Sequence, residues 1–182
     1  MIRWRNIIEF SLLKHFQDRM DFVVRTSYST ELENRIESKA ESRQELSDIQ
    51  DEFFKPEGTE LPDFIPRDVI VRKRTFPDRE TLVKINIIQK PTGYTDTKED
   101  LESLDGYEKW GEFNSYAIEY KMEVEGEEIP ILVETFDFGK FIKIESPSPE
   151  ILESILQELN LSKTEIIEKN SAELLAEDMT KI

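Results

Sequence analysis

The sequence predicts an α+β domain built on an antiparallel sheet, and three observations predict it. Apolar residues alternate with period two through four central runs (69–74, 81–87, 117–125 and 141–145), turn chemistry separates neighbouring runs, and helical periodicity concentrates towards the two ends. At 182 residues and 37% hydrophobic content, the chain can form one domain with a sizeable core. Eleven Phe, five Tyr and two Trp set it apart from disordered chains despite 35% charged residues.

Trp4, Ile8, Leu12 and Phe16 recur every four residues, with Ile7 beside them, so the spacing predicts an amphipathic helix over 3–17. Residues 1–20 read as a helical extension and 21–182 as a single domain. The cations Arg3, Arg5, Lys14 and Arg19 allow a membrane-surface role for that helix, but packing on its own domain is favoured. Glu9 and Lys14 break the apolar region a signal peptide needs, and no apolar run is long enough to cross a bilayer. DFVVRT (21–26) is strand-like, and STELENRIESKA (29–40) is a helix with Ser29 or Thr30 as its cap. Residues 41–54 end in QDEFF and form a strand. Three prolines and a glycine in 55–68 mark a surface loop.

DVIVRKRTF and ETLVKINII follow as two strands joined by a Pro77-Asp78-Arg79 turn. Residues 91–113 are polar, with a short helix expected over 97–104. A hairpin turns near Gly126 within 115–136, and FGKFIKIE (138–145) adds a further strand. Ser148-Pro149-Glu150 opens a helix whose apolar stripe is Leu152, Ile155, Leu156 and Leu159. SKTE (162–165) is a capping box leading into a last helical segment.

Composition removes several function classes. Forty Asp and Glu stand against 24 Lys and Arg, for a formal net charge of −16, which argues against coating long nucleic acid. Cys is absent, so disulfides, thiolate metal sites and Cys nucleophiles are excluded; a soluble, cytoplasmic setting is expected, in a cell or an infected host. His15 is the sole histidine, which rules against a His-based metal site or a Ser-His-Asp triad. No P-loop or Rossmann fingerprint is present. Trp110 and Phe113 read first as packing residues, with base stacking at a barrel mouth as the alternative.

Strand alternation sorts the charges. Ile70, Arg72 and Arg74 share one face of their strand; Leu82, Lys84 and Asn86 oppose Thr81, Val83, Ile85 and Ile87 in the next. Glu119, Lys121, Glu123 and Glu125 oppose Ile118, Tyr120, Met122 and Val124, while Lys143 and Glu145 oppose Ile142 and Ile144. Two readings fit: an open sheet whose charged face is solvated, or a barrel with that face turned inward and helices outside. The second would give a lumen suited to a phosphate chain, with Arg supplying forked donors and carboxylates holding a divalent cation.

The last third of the chain resembles the closing segment of the CYTH superfamily, the triphosphate tunnel enzymes named for class IV adenylyl cyclase and thiamine triphosphatase. That segment runs Leu-Asp, then Leu-Gly-x-Phe-x-Glu-Ile-Glu, a helix, and Ser-Tyr-x-Glu-Leu-Leu; Val133-Glu134, Gly139, Phe141, Ile144-Glu145 and SAELL fall in the matching places. Upstream, IQDEFF (49–54), VIVRKR (69–74) and TLVK (81–84) resemble further strands of the family in the same order. The resemblance implies an antiparallel tunnel barrel that binds a triphosphate or phosphate-rich nucleotide. It would act as an Mg²⁺- or Mn²⁺-dependent phosphohydrolase or cyclase, or as a non-catalytic binder.

It implies phosphate contacts from Arg72, Arg74 and Lys84, with Arg25, Lys121 and Lys143 as weaker contributors. Metal ligands would come from Asp21, Glu119, Glu123, Glu134 and Glu145, with Glu119 and Glu145 as the catalytic pair. The chain departs from the pattern at both ends: the opening Glu-x-Glu-x-Lys is best matched by Asp21, Val23 and Arg25, with Glu9-Phe-Ser11 a poorer candidate upstream, and the closing Glu-x-Glu becomes Lys143-Ile-Glu145. A second class of function remains open, a degenerate scaffold whose N-terminal helix or 91–113 segment contacts a partner or a second copy in a homodimer.

Overall fold

The structure is a computed structural model that describes residues 21–60, 67–91 and 93–180; the helix expected over 3–17, and His15 with it, lies outside the described residues. Among the described residues nine strands and three α-helices occur in the order β1 (Asp21–Ser27), α1 (Thr30–Lys39), β2 (Ser42–Pro56), β3 (Val69–Thr75), β4 (Glu80–Gln89), β5 (Tyr94–Asp100), β6 (Tyr107–Val124), β7 (Glu127–Phe136), β8 (Gly139–Ser146), α2 (Pro149–Glu158), β9 (Ile166–Ile167) and α3 (Ser171–Met179). The sheet order is β5-β4-β3-β2-β6-β7-β8-β1-β9, every pairing is antiparallel, and β1 also pairs β5. That last pairing closes eight strands into a ring, so the curled reading of the sheet is the correct one.

Closure depends on β1. One edge pairs β8 through residues 22–27; the other is divided between β5, which takes residues 21–23, and β9, which takes 25–26. The ring bends where its longest strands slip register. β2 and β6 shift between Leu46 and Ile49, where Asp48 adopts φ 56°, and again between Phe53 and Phe54.

Two apolar clusters hold the fold. Outside the ring, Ile118, Met122, Val124, Ile129, Ile131, Val133, Ile142 and Ile144 face α1 and α2, which bury Leu32, Ile36, Leu152, Ile155 and Leu156 against them. Each helix starts as its sequence dictates. Ser29 Oγ accepts from the Leu32 N–H, Ser148 Oγ accepts from the Ile151 N–H, and Pro149 fills the first turn of α2. The second cluster lies within the ring and contains Phe53, Ile70, Val83, Ile85, Ile87, Phe113 and Phe136. α3 adds Ala172 and Leu175 to it and covers that end. Gly111 makes room for this approach, since a Cβ there would sit 2.8 Å from Leu175 Cδ2.

Three expectations need correction. Residues 94–100 form β5, not a helix over 97–104, because Thr95 and Thr97 favour an extended strand and the ring requires one at this place. The SKTE box is real, with Glu165 accepting from the Ser162 N–H at 2.8 Å, but it opens a single 3₁₀ turn; β9 intervenes before α3, whose own box is Asn170 with Glu173. The alternation in β4 points the opposite way from β6 and β8. Its Val83, Ile85 and Ile87 face into the ring, whereas the apolar residues of β6 and β8 face out under helices. Among the described residues no helix is long and apolar enough to cross a membrane.

The turn after β4 brings Gly93 against β1 with φ 75°, where an added Cβ would lie 2.1 Å from the Val23 carbonyl oxygen. Gly93→Ala is therefore expected to cost at least about 2 kcal/mol, since backbone must shift and a left-handed residue is strained. Urea denaturation measures this; an unchanged midpoint would remove β1–β5 closure from the account.

Candidate functional site

In an antiparallel pair, residues directly opposite share a face. Asp51 opposes Arg74 and Phe53 opposes Arg72, while Arg72 and Arg74 oppose Val83 and Thr81. Ala117 opposes Glu134, Leu132 opposes Lys143, and Lys143 opposes Arg25. These pairings turn Arg25, Asp51, Arg72, Arg74, Glu134, Lys143 and Glu145 towards the lumen beside the apolar cluster.

The lumen is an ion-pair network. Asp51, fully buried, receives two hydrogen bonds of 2.6 Å from Arg74 Nε and Nη2, the forked geometry that arginine provides. Burial pushes the Asp51 carboxyl up, but Arg74 and Arg72 outweigh it and hold it below its ordinary value. Arg25 donates to Glu134 Oε2 through Nη2 at 2.9 Å and Nε at 3.2 Å, and to the Lys169 carbonyl through Nη1 at 3.0 Å. Lys143 lies 2.5 Å from Glu145 and 3.9 Å from Glu134. Burial raises Glu145, but Lys143 and then Lys98 overcome that and bring it down to about 2. Tyr94 adjoins Arg25 and Lys143, and burial pushes its phenol up.

Arg72 differs from the other cations. Its Nε is buried and makes no hydrogen bond among the described residues, and Asp51 is 4.0 Å away. Burial and the neighbouring Arg74 both disfavour its charge, and Asp51, Asp96 and Glu134 together do not fully compensate. This is a held cation without an adequate counter-ion.

Beside the network lies a cleft of about 590 Å³, lined by Arg74, Glu134, Glu119, Leu132, Gln44 and the Phe76–Arg79 turn. Its size is within the ordinary range for small-molecule sites. Arg74, which lines this cleft, binds Asp51 through Nε and Nη2. At the rim the Arg79 guanidinium sits 4.3 Å from the Phe76 ring centroid.

Not every predicted residue reaches the lumen. Lys84 opposes Val71 and Glu99, so it lies on the outer face, away from Arg72 and Arg74. Grouping charges strand by strand missed the one-residue offset that the register imposes. Glu123 is exposed opposite Glu128 near the β6–β7 turn, and Lys121, 37% exposed, pairs with Glu128 at 2.7 Å. Glu119 is half-buried in the cleft, and its carboxyl is raised by burial against the opposing pull of Lys121. The backbone of Asp21 opposes Asp96, and its side chain lies outside the described residues. Trp110 and Phe113 are buried and pack against Phe53 at 5.7 and 5.4 Å, so they serve the core.

Sequence reasoning missed Asp51 and Tyr94 as site residues. A signal for Asp51 was present: it is the one charge between Ile49 and Phe53 on an otherwise apolar strand face. Tyr94 lies in the polar segment 91–113, just before the helix expected over 97–104.

A metal does not fit these residues. Among the described residues no three His, Cys, Asp or Glu side chains come together to hold one, and Glu134 and Glu145 are already engaged by Arg25 and Lys143.

Asp51, Glu134 and Glu145 titrate below their ordinary values in the fold. Each therefore contributes stability that is complete above the unfolded pKa and lost as pH falls through the folded one. Glu119 is raised, so its smaller contribution is present below its unfolded pKa and fades as pH rises through the folded value. Stability by urea midpoint is expected to fall steeply between about pH 4.5 and 2. Asp51→Asn should cost about 3 kcal/mol at neutral pH, since it strips two little-exposed cations of their shared carboxylate. A flat acid profile would contradict the network.

No family model and no curated protein matches the sequence. Solved structures do match by shape. The PH1819 protein of Pyrococcus horikoshii OT3 has a TM-score of 0.60 at 16% identity, over 87% of this chain and 99% of that one. HpAC1 of Hippeastrum, a candidate adenylyl cyclase with a dominant triphosphatase activity, has a TM-score of 0.57 at 13% identity, over 90% of this chain and 97% of that one. A candidate adenylate cyclase of Vibrio parahaemolyticus has a TM-score of 0.56 at 16% identity, covering 88% and 99%. The likeness that the ordered motifs imply thus holds in three dimensions: this chain has the CYTH-type tunnel fold.

Proposed function

We propose that the ring binds a triphosphate or a phosphate-rich nucleotide and does so as a binder, a sensor or sponge, with no hydrolytic step assigned. The observation that carries this reading is Arg72, a little-exposed side chain whose buried Nε lacks a hydrogen-bond partner among the described residues and whose nearest carboxylate is shared with Arg74. A phosphate oxygen supplies what Arg72 lacks, a full negative charge and an acceptor lone pair. Arg74 lines the adjoining cleft, which is large enough for a phosphate chain and part of a nucleoside. Asp51 keeps both guanidiniums in place before the ligand arrives, which lowers the ordering cost of binding.

The activity of HpAC1 supports the ligand class; at 13% identity it supports no reaction here. Metal-dependent hydrolysis lacks its carboxylate set among the described residues. A cysteine-free, acidic chain of this kind suits a cytoplasmic setting, where nucleoside triphosphates reside.

Thermal shift with tripolyphosphate, ATP and cyclic nucleotides tests this. At a ligand concentration one hundred times Kd the gain is about 2.7 kcal/mol, which for a domain of this size raises the Tm by roughly 5–10 °C. Arg72→Met should lose that shift while leaving the Tm of the free protein unchanged or a few degrees higher, because a little-exposed, poorly compensated charge is replaced by an apolar chain of similar length. A variant that still responds like the wild type, or a wild type that responds to no phosphate compound, would overturn the reading.

A further inference from the structure

We propose that Lys143 is a built-in counter-ion that stands between Glu134 and Glu145 in place of a divalent cation, so that the ring takes its polyanion without metal. The inference rests on the polyphosphate reading above and concerns how that site is regulated. Lys143 Nζ lies 2.5 Å from Glu145 Oε1 and 3.9 Å from Glu134 Oε1, so one ammonium contacts a carboxylate oxygen of each. The second oxygen of Glu134 takes both Nη2 and Nε of Arg25. A divalent ion needs several oxygens within about 2.6 Å, and any ion placed to use both glutamates would meet the ammonium.

Lys143 has no easy route out of the way. Its side chain is 17% exposed, and withdrawing it would leave two little-exposed carboxylates, at 21% and 9%, short of their cation. Glu145 and Glu134 also overcome burial to keep Lys143 protonated. The lumen thus holds Arg25, Arg72, Arg74 and Lys143 beside Asp51, Glu134 and Glu145, and Lys143 already supplies a positive charge at the two glutamates where a metal would otherwise be needed. A metal ion is normally the means by which a carboxylate-lined site accepts an anion; here the lysine performs that task.

The test uses the full chain, with tripolyphosphate titrated by calorimetry in EDTA and again with Mn²⁺, and with Mn²⁺ alone followed by electron paramagnetic resonance. The expected result is binding in EDTA that Mn²⁺ does not tighten, with no Mn²⁺ retained by the wild type. Lys143→Met should weaken metal-free binding by about tenfold through loss of the cation that neutralises the two glutamates, and Lys143→Glu should retain Mn²⁺. Wild-type binding that appears only with Mn²⁺, or Mn²⁺ retained by the wild type alone, overturns this proposal and leaves the polyphosphate reading standing. Absence of binding in both buffers overturns both. Should Lys143→Glu fail to fold, the wild-type EDTA arm and Lys143→Met decide the matter.

Discussion

A cation can be buried inside a β-ring only if an anion is buried with it, and this pairing constraint organises the molecule. An isolated ion moved from water into protein costs several kcal/mol even after relaxation. Asp51, fully buried, therefore fixes where Arg74 lies, Glu134 fixes Arg25, and Glu145 fixes Lys143. Two unit charges 4 Å apart attract by about 4 kcal/mol at an effective dielectric constant near 20. Arg72 stands at that distance from Asp51, but it faces Arg74 and loses its hydration as well, and the balance is unfavourable to its charge. Among the described residues Arg72 is the lumen cation left with an unfavourable balance, and that is the place the proposed phosphate ligand would complete.

Ring closure and the ion-pair network depend on each other through β1. Arg25 projects from that strand to Glu134 on β7 and to the Lys169 carbonyl in the segment leading to α3. A single guanidinium thereby ties the closing strand, the opposite wall and the helix that covers one end. The divided edge of β1 makes the same connection through the backbone, with β5 on one stretch and β9 on the next. Loosening β1 would open the barrel and release a carboxylate in the same event, so the site and the fold share one cooperative unit.

Much of the architecture was legible because alternation and capping are local signals. Ser29, Ser148 and Pro149 start their helices as their chemistry requires, and the outward-facing apolar set of β6 and β8 was read correctly from period two alone. Which strand faces which way is a non-local matter. Lys84 was grouped with Arg72 because both are cations in neighbouring strands, yet register places Lys84 opposite Val71 and outside the ring. β4 shows the same limit from the other side, since its apolar face serves the interior and no pattern within 80–89 says so. β5 was hidden by polarity: with Thr97, Lys98, Glu99 and Asp100 exposed, it has few of the apolar residues by which a strand announces itself.

The interior divides its labour, and that division explains how a poorly compensated arginine is tolerated. Phe53, Phe113 and Phe136, with Phe138 and Phe141, stack through centroid distances of 4.7 to 6.4 Å, and α3 seals that end. Burial of such rings contributes on the order of 2 kcal/mol each, far more than surface ion pairs supply. The fold does not rely on the charged half of the lumen being electrostatically optimal, so that half is free to hold Arg72 under strain. A chain with its aromatic layer removed would have to satisfy every lumen charge internally, and a lumen satisfied internally has nothing left with which to bind an anion.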